Sequence, residues 1–276
     1  MGDQNRNLLT RVITALVLFP LAVWVTWFGG LAFALLIAAA AAISALELVQ
    51  MFDGKVERTG LVGIAGAAAL PLVAWAGGRP GTHLPAQWVA VSVGLGVVLL
   101  LVTMLAQQGP LEKAPRSAAV AALAWAYAGV LPAMVVTLRV GFGWEWVILL
   151  FLVSWGNDTF AYFAGRFLGK RKLAERISPK KTWEGFHGGA VGSVLCALFV
   201  KLLFLPGVSV PAAVVVGLGA AVLGPLGDLA ESMMKRAAGV KDSGRIIPGH
   251  GGLLDRIDAV LVVAPWLVAC ALWITR

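Results

Sequence analysis

The densest group of residues able to do chemistry lies between Asp228 and Asp258. Read as a helix, Asp228, Glu231, Ser232 and Lys235 fall at i, i+3, i+4 and i+7, which lines both charge signs along one face. Gly244, Pro248, Gly249, Gly251 and Gly252 then forbid a regular helix and predict a loop whose backbone amides are open to close approach, a form that can cradle phosphate. The chain resumes as a helix with Asp255 and Asp258 at i, i+3 on its opening turn, where the helix dipole favours carboxylates. A capped helix entry would explain Asp255 standing alone, but not the company of Asp228, Lys235, Lys241 and the glycines. Two separated carboxylates beside basic residues are what a Mg2+ and nucleotide site needs, since Mg2+ is commonly bound by one or two carboxylates plus substrate phosphates. No set of His and Cys residues competes for zinc.

A second group starts where Ser154, Asn157, Asp158 and Tyr162 interrupt an otherwise apolar run. At 1.5 Å per residue, Asp158 lies about 20 Å down a helix from the outer end of that run. An ionisable group at such depth is a functional candidate, the alternative being a carboxylate paired with a buried Lys or Arg to hold helices together. Gly165 to Lys172 follows, then Ile177-Ser-Pro-Lys-Lys-Thr-Trp-Glu-Gly-Phe-His-Gly-Gly189. The Walker A spacing is not met, because the Gly165 to Gly169 gap is one residue short and Arg171 follows the lysine. What remains is a basic loop suited to holding a triphosphate or a lipid phosphate through Lys180, Lys181 and Thr182. A topological anchor beside anionic headgroups explains Arg171 and Lys172, but not the ordered Ser-Pro-Lys-Lys-Thr-Trp-Glu-Gly string. Three other signals read as structure: Glu47 as an interfacial residue, the tryptophans as mostly membrane-interface residues, and His83 as a solvated loop residue. Of the remaining histidines, His187 and His250 sit inside the two groups.

The elements that must position these residues are membrane helices. Of 276 residues 59% are hydrophobic and 13% charged, and a mean hydropathy of +0.87 over the whole length excludes disorder and leaves too much apolar surface for one globular core. Cys196 and Cys270 lie in apolar stretches as small hydrophobes, so no disulfide framework is indicated. Apolar stretches of spanning length fall near residues 12–28, 31–48, 60–77, 87–106, 118–138, 145–165, 189–205, 209–226 and 258–275, with a tight turn at Gly29 and Gly30 between the first two. The fold expected is therefore an all-α polytopic membrane protein of about nine transmembrane helices. Small residues between Gly60 and Ala69 predict close helix packing. A signal peptide over residues 6–28 competes with a first span, but the stretch is long enough to cross and many spans follow. The net charge of +8 would raise nucleic acid as a partner for a soluble protein; here most of the 22 basic residues fall in alternate loops. Arg6 and Arg11, Lys55 and Arg58, Lys113 and Arg116, and the two long loops all share one side if the N-terminus is cytoplasmic, which predicts N-in, C-out with a polar active site at the cytoplasmic interface. Residues 1–150 are expected to supply N-terminal transmembrane helices, and residues 151–276 a catalytic membrane region with cytoplasmic loops 166–188 and 228–257.

The string Ser232-x-Met234-Lys235-Arg236-x4-Lys241-Asp242-x-Gly244-x2-Ile247-Pro248-x-His250-Gly251-Gly252-Leu253-x-Asp255-Arg256-Ile257-Asp258 resembles the signature of phosphatidate cytidylyltransferases, also called CDP-diacylglycerol synthases, without departure from it. Asn157-Asp158-Thr159 to Gly165 and Ser178-Pro-Lys-Lys-Thr182 also resemble that family, whereas the N-terminal spans match only in general hydropathy. The resemblance implies CTP and phosphatidate as substrates, CDP-diacylglycerol and pyrophosphate as products, and Mg2+ as cofactor with room for a second cation, in the bacterial plasma membrane. It implies the bilayer as partner, no nucleic acid, and leaves a homodimer open. On this reading Asp228 and Asp255 hold the metal, helped by Asp258 and Asp158. Lys235, Arg236, Lys241 and Arg256 neutralise phosphates, Ser232, Thr182, Lys180 and Lys181 position them, and Asn157, Asp242, His250, Gly251 and Gly252 complete the substrate contacts. The residues alone leave three rivals open: transfer to another lipid phosphate such as a polyprenyl phosphate, secondary transport of an anionic metabolite, and a non-enzymatic scaffold.

Overall fold

Backbone that crosses a bilayer must satisfy its own polar groups, and the apolar stretches of this chain do so as helices. The structure, a computed structural model, describes residues 20–78, 86–106, 110–246 and 251–275. The expectations placed on residues 12–19, Arg6, Arg11, His83, Ile247, Pro248, Gly249 and His250 lie outside them. In chain order the helices are α1 (residues 20–28), α2 (Gly30–Asp53), α3 (Arg58–Gly77), α4 (Ala86–Leu105), α5 (Ala114–Trp125), α6 (Leu131–Phe142), α7 (Trp144–Leu168), α8 (Trp183–Leu203), α9 (Val210–Ala237) and α10 (Leu254–Ile274). A 3₁₀ turn before α5 and a π turn at Ala126–Val130 make Leu111–Phe142 one continuous stretch. Among the described residues seven helical stretches are long and apolar enough to cross a membrane, and a shorter apolar one covers Gly94–Leu105.

Three features differ from expectation. Helix α8 begins at Trp183 rather than 189, because Thr182 in extended backbone caps it, its hydroxyl accepting the Gly185 amide at 3.1 Å. Helix α9 runs without a break to Ala237 rather than 226, so Asp228 to Lys235 continue a membrane helix. The supposed basic loop between α7 and α8 is an antiparallel hairpin, β1 (Lys172–Ala174) with β2 (Ser178–Thr182), a local exception to an all-α fold. The Glu184 carboxylate fixes its base by accepting the amides of Lys170 at 3.0 Å and Arg171 at 3.2 Å.

The chain divides into two compact units. The first comprises the described parts of Met1–Val140 together with Asp242–Asp255, so the glycine loop belongs with the N-terminal helices. Within it the tight turn at Gly29 is real: its φ is +72°, and the Arg139 guanidinium caps the end of α1 by donating to Thr26 O at 2.6 Å and Trp27 O at 2.9 Å. The small residues of α3 do allow close packing, since a Cβ on Gly63 would stand 2.8 Å from the Ala121 carbonyl oxygen.

The second unit comprises Gly141–Lys241 and Arg256–Arg276. Here α7 meets α8 through glycines: a Cβ on Gly188 would lie 2.3 Å from that of Ala164, and one on Gly185 2.9 Å from the Ala161 carbonyl oxygen. That close approach offsets the poor helix propensity of glycine, and explains why a run with the look of a loop is helical.

Candidate active site

In the second unit, α7 supplies Asn157, Asp158, Tyr162 and Arg166, the hairpin supplies Ser178, Lys180, Lys181 and Thr182, and α9 supplies Pro225 and Asp228 to the wall of one cavity of about 430 Å³. Lys181 Nζ stands 2.7 Å from Asp228 Oδ2 and donates to the Pro225 carbonyl at 3.3 Å. The other oxygen of Asp228 accepts the Ser232 hydroxyl at 3.2 Å. The expected α9 stripe thus exists as two i, i+4 contacts, Ser232 to Asp228 and Lys235 to the buried Glu231. Asp158, Asp228 and Asp258 lie near enough for their charges to repel one another, with Lys181 and Lys235 as opposing cations. Asp258 is buried, and its Oδ1 accepts the Ala259 amide at 2.8 Å.

Asn157 is 1% exposed, lines the cavity, and neither atom of its side-chain amide has a hydrogen-bond partner among the described residues. Buried polar groups are nearly always paired, so this unpartnered amide, whose oxygen lies against Gly189 of α8, is an exception within the wall of the cavity. Thr182 reaches the same cavity, but its hydroxyl is already engaged as the α8 cap. Arg236, Lys241 and Arg256, also in this unit, are exposed.

The first unit contains a second polar centre, around the glycine loop. Asp255 Oδ2 accepts the Ser243 amide at 2.9 Å and the Gly252 amide at 3.0 Å, and the Ser243 hydroxyl lies 3.0 Å away. That same hydroxyl lies 3.0 Å from Glu47 Oε2. Glu47 Oε2 also accepts the Leu254 amide at 2.9 Å, and Oε1 the Leu253 amide at 2.9 Å. Gly251 takes a φ of +83°, and a Cβ on Gly252 would fall 1.9 Å from the Ser243 hydroxyl oxygen. Asp242 in this loop is exposed.

Glu47 was expected at the membrane interface; it is instead 1% exposed and bonded to the loop. The rule that singled out Asp158, a carboxylate inside an apolar span, applies equally to Glu47 in α2 and would have found it. Glu184, which accepts the amides at the base of the hairpin, carries no such signal.

Among the described residues no three His, Cys, Asp or Glu side chains form a ready-made metal cage. The donor type suits Mg2+, which takes hard oxygens and completes its shell with water and substrate phosphate: Asp228 lines the cavity beside Asp158, and Asp258 adds a third carboxyl to the same unit. Asp255 offers a carboxylate already oriented through one oxygen.

Seven long apolar helices among the described residues, with the ion-paired Lys181 and Asp228 on a cavity wall, define the class as a multi-span membrane protein with a charged site. The chain belongs to the cytidylyltransferase family, whose model matches residues 9–273. It is 37% identical over 267 residues to a phosphatidate cytidylyltransferase of Brucella abortus biovar 1 (strain 9-941), covering 95% of this chain and 92% of the relative. It is 34% identical over 273 residues to the phosphatidate cytidylyltransferase of Bacillus subtilis (strain 168), covering 97% of each. A relative of the same name from Staphylococcus saprophyticus is 45% identical over 125 residues, covering 45% of this chain and 48% of its own length.

Proposed function

We propose that this chain transfers the cytidylyl group of CTP to phosphatidate, giving CDP-diacylglycerol and pyrophosphate, at the cytoplasmic face of a bacterial plasma membrane. The family match and the full-length relatives support the reaction, and the observation that carries the site is the Lys181 and Asp228 pair beside Asp158 in one cavity of a membrane-helix unit. The asymmetry of Lys and Arg supports the orientation N-in, C-out.

In the reaction a phosphatidate phosphate oxygen forms a bond to the α-phosphorus of CTP while the bond from that phosphorus to the bridging oxygen of pyrophosphate breaks. The nucleophile is already anionic, so no side chain needs to remove a proton and no covalent enzyme intermediate is required. When bound, Mg2+ supplies neutralisation of the triphosphate. Asp228 keeps the metal-holding role expected from the sequence, with Asp158 and Asp258 as helpers in the same unit, and Asp255 keeps its own expected metal-holding role on the glycine loop. Lys181 trades part of its contact with Asp228 for a phosphate oxygen, and Lys180 and Asn157 hold the same substrate from the cavity wall. Lys235, steadied by Glu231, joins Arg236, Lys241 and Arg256 in offsetting the charge of the phosphates. Catalysis is then mainly electrostatic and positional, as expected where several negative charges converge.

The test is acceptor choice by the purified protein in liposomes supplied with CTP and Mg2+. Phosphatidate is expected to yield CDP-diacylglycerol and pyrophosphate in equal amounts. A product formed only with polyprenyl phosphate would change the acceptor, and flux of an anionic metabolite without any nucleotidyl product would overturn the reaction.

A further inference from the structure

We infer that Glu47 is a positioning residue for the glycine loop: from inside a membrane helix its carboxylate sets the geometry of Ser243, Leu253 and Leu254, and thereby of Asp255. The inference rests on the proposed function in taking this loop to serve CTP and its metal.

A carboxylate within an apolar span is expensive unless it is fully hydrogen-bonded. Glu47 lies in the last turns of α2, and among the described residues no Lys or Arg stands at ion-pair distance from it. Its compensation comes from the loop: Oε1 accepts Leu253 N, while Oε2 accepts Leu254 N and faces the Ser243 hydroxyl. Both oxygens therefore act as acceptors, which a carboxylate can do and a carboxamide cannot, since glutamine would point N–H groups at an N–H donor. The Ser243 hydroxyl stands 3.0 Å from both Glu47 Oε2 and Asp255 Oδ2 and has one proton to donate to either acid.

The loop is also shaped to fit this residue. A Cβ on Gly244 would sit 2.5 Å from Glu47 Oε1, and one on Gly252 2.7 Å from Oε2. Two glycines that the sequence offers as a phosphate cradle thus make room for a carboxylate of the protein itself. Leu254 opens α10 and Leu253 immediately precedes it, so Glu47 occupies the place of a capping group for the start of that helix, where orphan amides and the helix dipole both favour a negative charge. A capping acid of this kind fixes where Asp255 stands without touching a substrate.

The experiment uses full-length protein carrying Glu47→Gln or Ser243→Ala, purified in nanodiscs, with two readouts. Hydrogen exchange without CTP or Mg2+ is expected to quicken about tenfold at Leu253 and Leu254 in Glu47→Gln while α7 to α9 stay protected, as for a local opening. Steady-state kinetics are expected to show KM for CTP raised about tenfold, the lower end of what outer-shell partners of a metal site are worth, with kcat and KM for phosphatidate within about twofold of wild type. A purely structural role would lower the active fraction, and hence kcat, without moving KM. Ser243→Ala removes only the link between the two acids and is expected to raise KM for CTP about threefold; it decides the matter if Glu47→Gln does not fold. Unchanged exchange at the two leucine amides, or an unchanged KM in a folded variant, would overturn the inference. A wild-type protein that makes no CDP-diacylglycerol would overturn the proposed function instead, and the exchange readout would still judge Glu47.

Discussion

The two units each hold acidic groups in low-dielectric surroundings, and they compensate them by different means. In the second unit Asp228 is balanced by a flexible cation, Lys181, with Asp158 and Asp258 adding repulsion. In the first, Glu47 is balanced by two backbone amides and one hydroxyl, and Asp255 accepts two further amides through Oδ2. A lysine can leave its partner for an incoming phosphate at little cost to the fold, whereas an amide cannot turn away without rearranging its chain. The ion-paired region is therefore suited to exchanging partners during turnover, and the amide-bound region to holding one geometry throughout.

That contrast can be broken most severely at Asp255. Ser243 and Gly252 all address one oxygen, Oδ2, so an asparagine can still present a carbonyl oxygen to them while losing the charge. Asp255→Asn is expected to lower turnover about a thousandfold, typical of losing a group that stabilises developing charge, with exchange at Gly252 little changed. Loss of the loop bonds along with activity would show that Asp255 only holds the loop. Next, Lys181→Met is expected to cost about a hundredfold in kcat/KM, and Lys181→Arg to recover part of it, measured with CTP as the varied substrate. Smaller still, Gly252→Ala must displace Ser243 or Glu47 and should reduce kcat/KM for CTP about tenfold. Last, Thr182→Val removes the α8 cap, and about 1 kcal/mol of stability should show as a lower thermal midpoint.

Much of this was legible in the sequence because it depends on local spacing. Seven of the nine expected apolar stretches recur among the described residues as helices long enough to span, and the i, i+4 register of Ser232 with Asp228 and of Lys235 with Glu231 follows from helical period alone. What was hidden depends on partners far along the chain. Glu47 meets Ser243 across 196 residues, and nothing near Glu47 announces that contact. The run from Trp183 to Gly189 reads as a loop by composition, and becomes a helix because its glycines fit against α7 and Thr182 caps it. The glycines near Asp255 predict an open cradle for phosphate, and in the structure Gly244 and Gly252 stand against the internal carboxylate of Glu47.

The central claim is that Asp228 and its neighbours carry a metal-assisted cytidylyl transfer, and the most direct test is formation of CDP-diacylglycerol from CTP and phosphatidate by wild type and by Asp228→Asn across a Mg2+ titration. Wild type should require Mg2+, and a folded Asp228→Asn protein should lose about a thousandfold in turnover at every Mg2+ concentration. A folded variant with wild-type turnover, or a wild-type rate indifferent to Mg2+, would contradict the account.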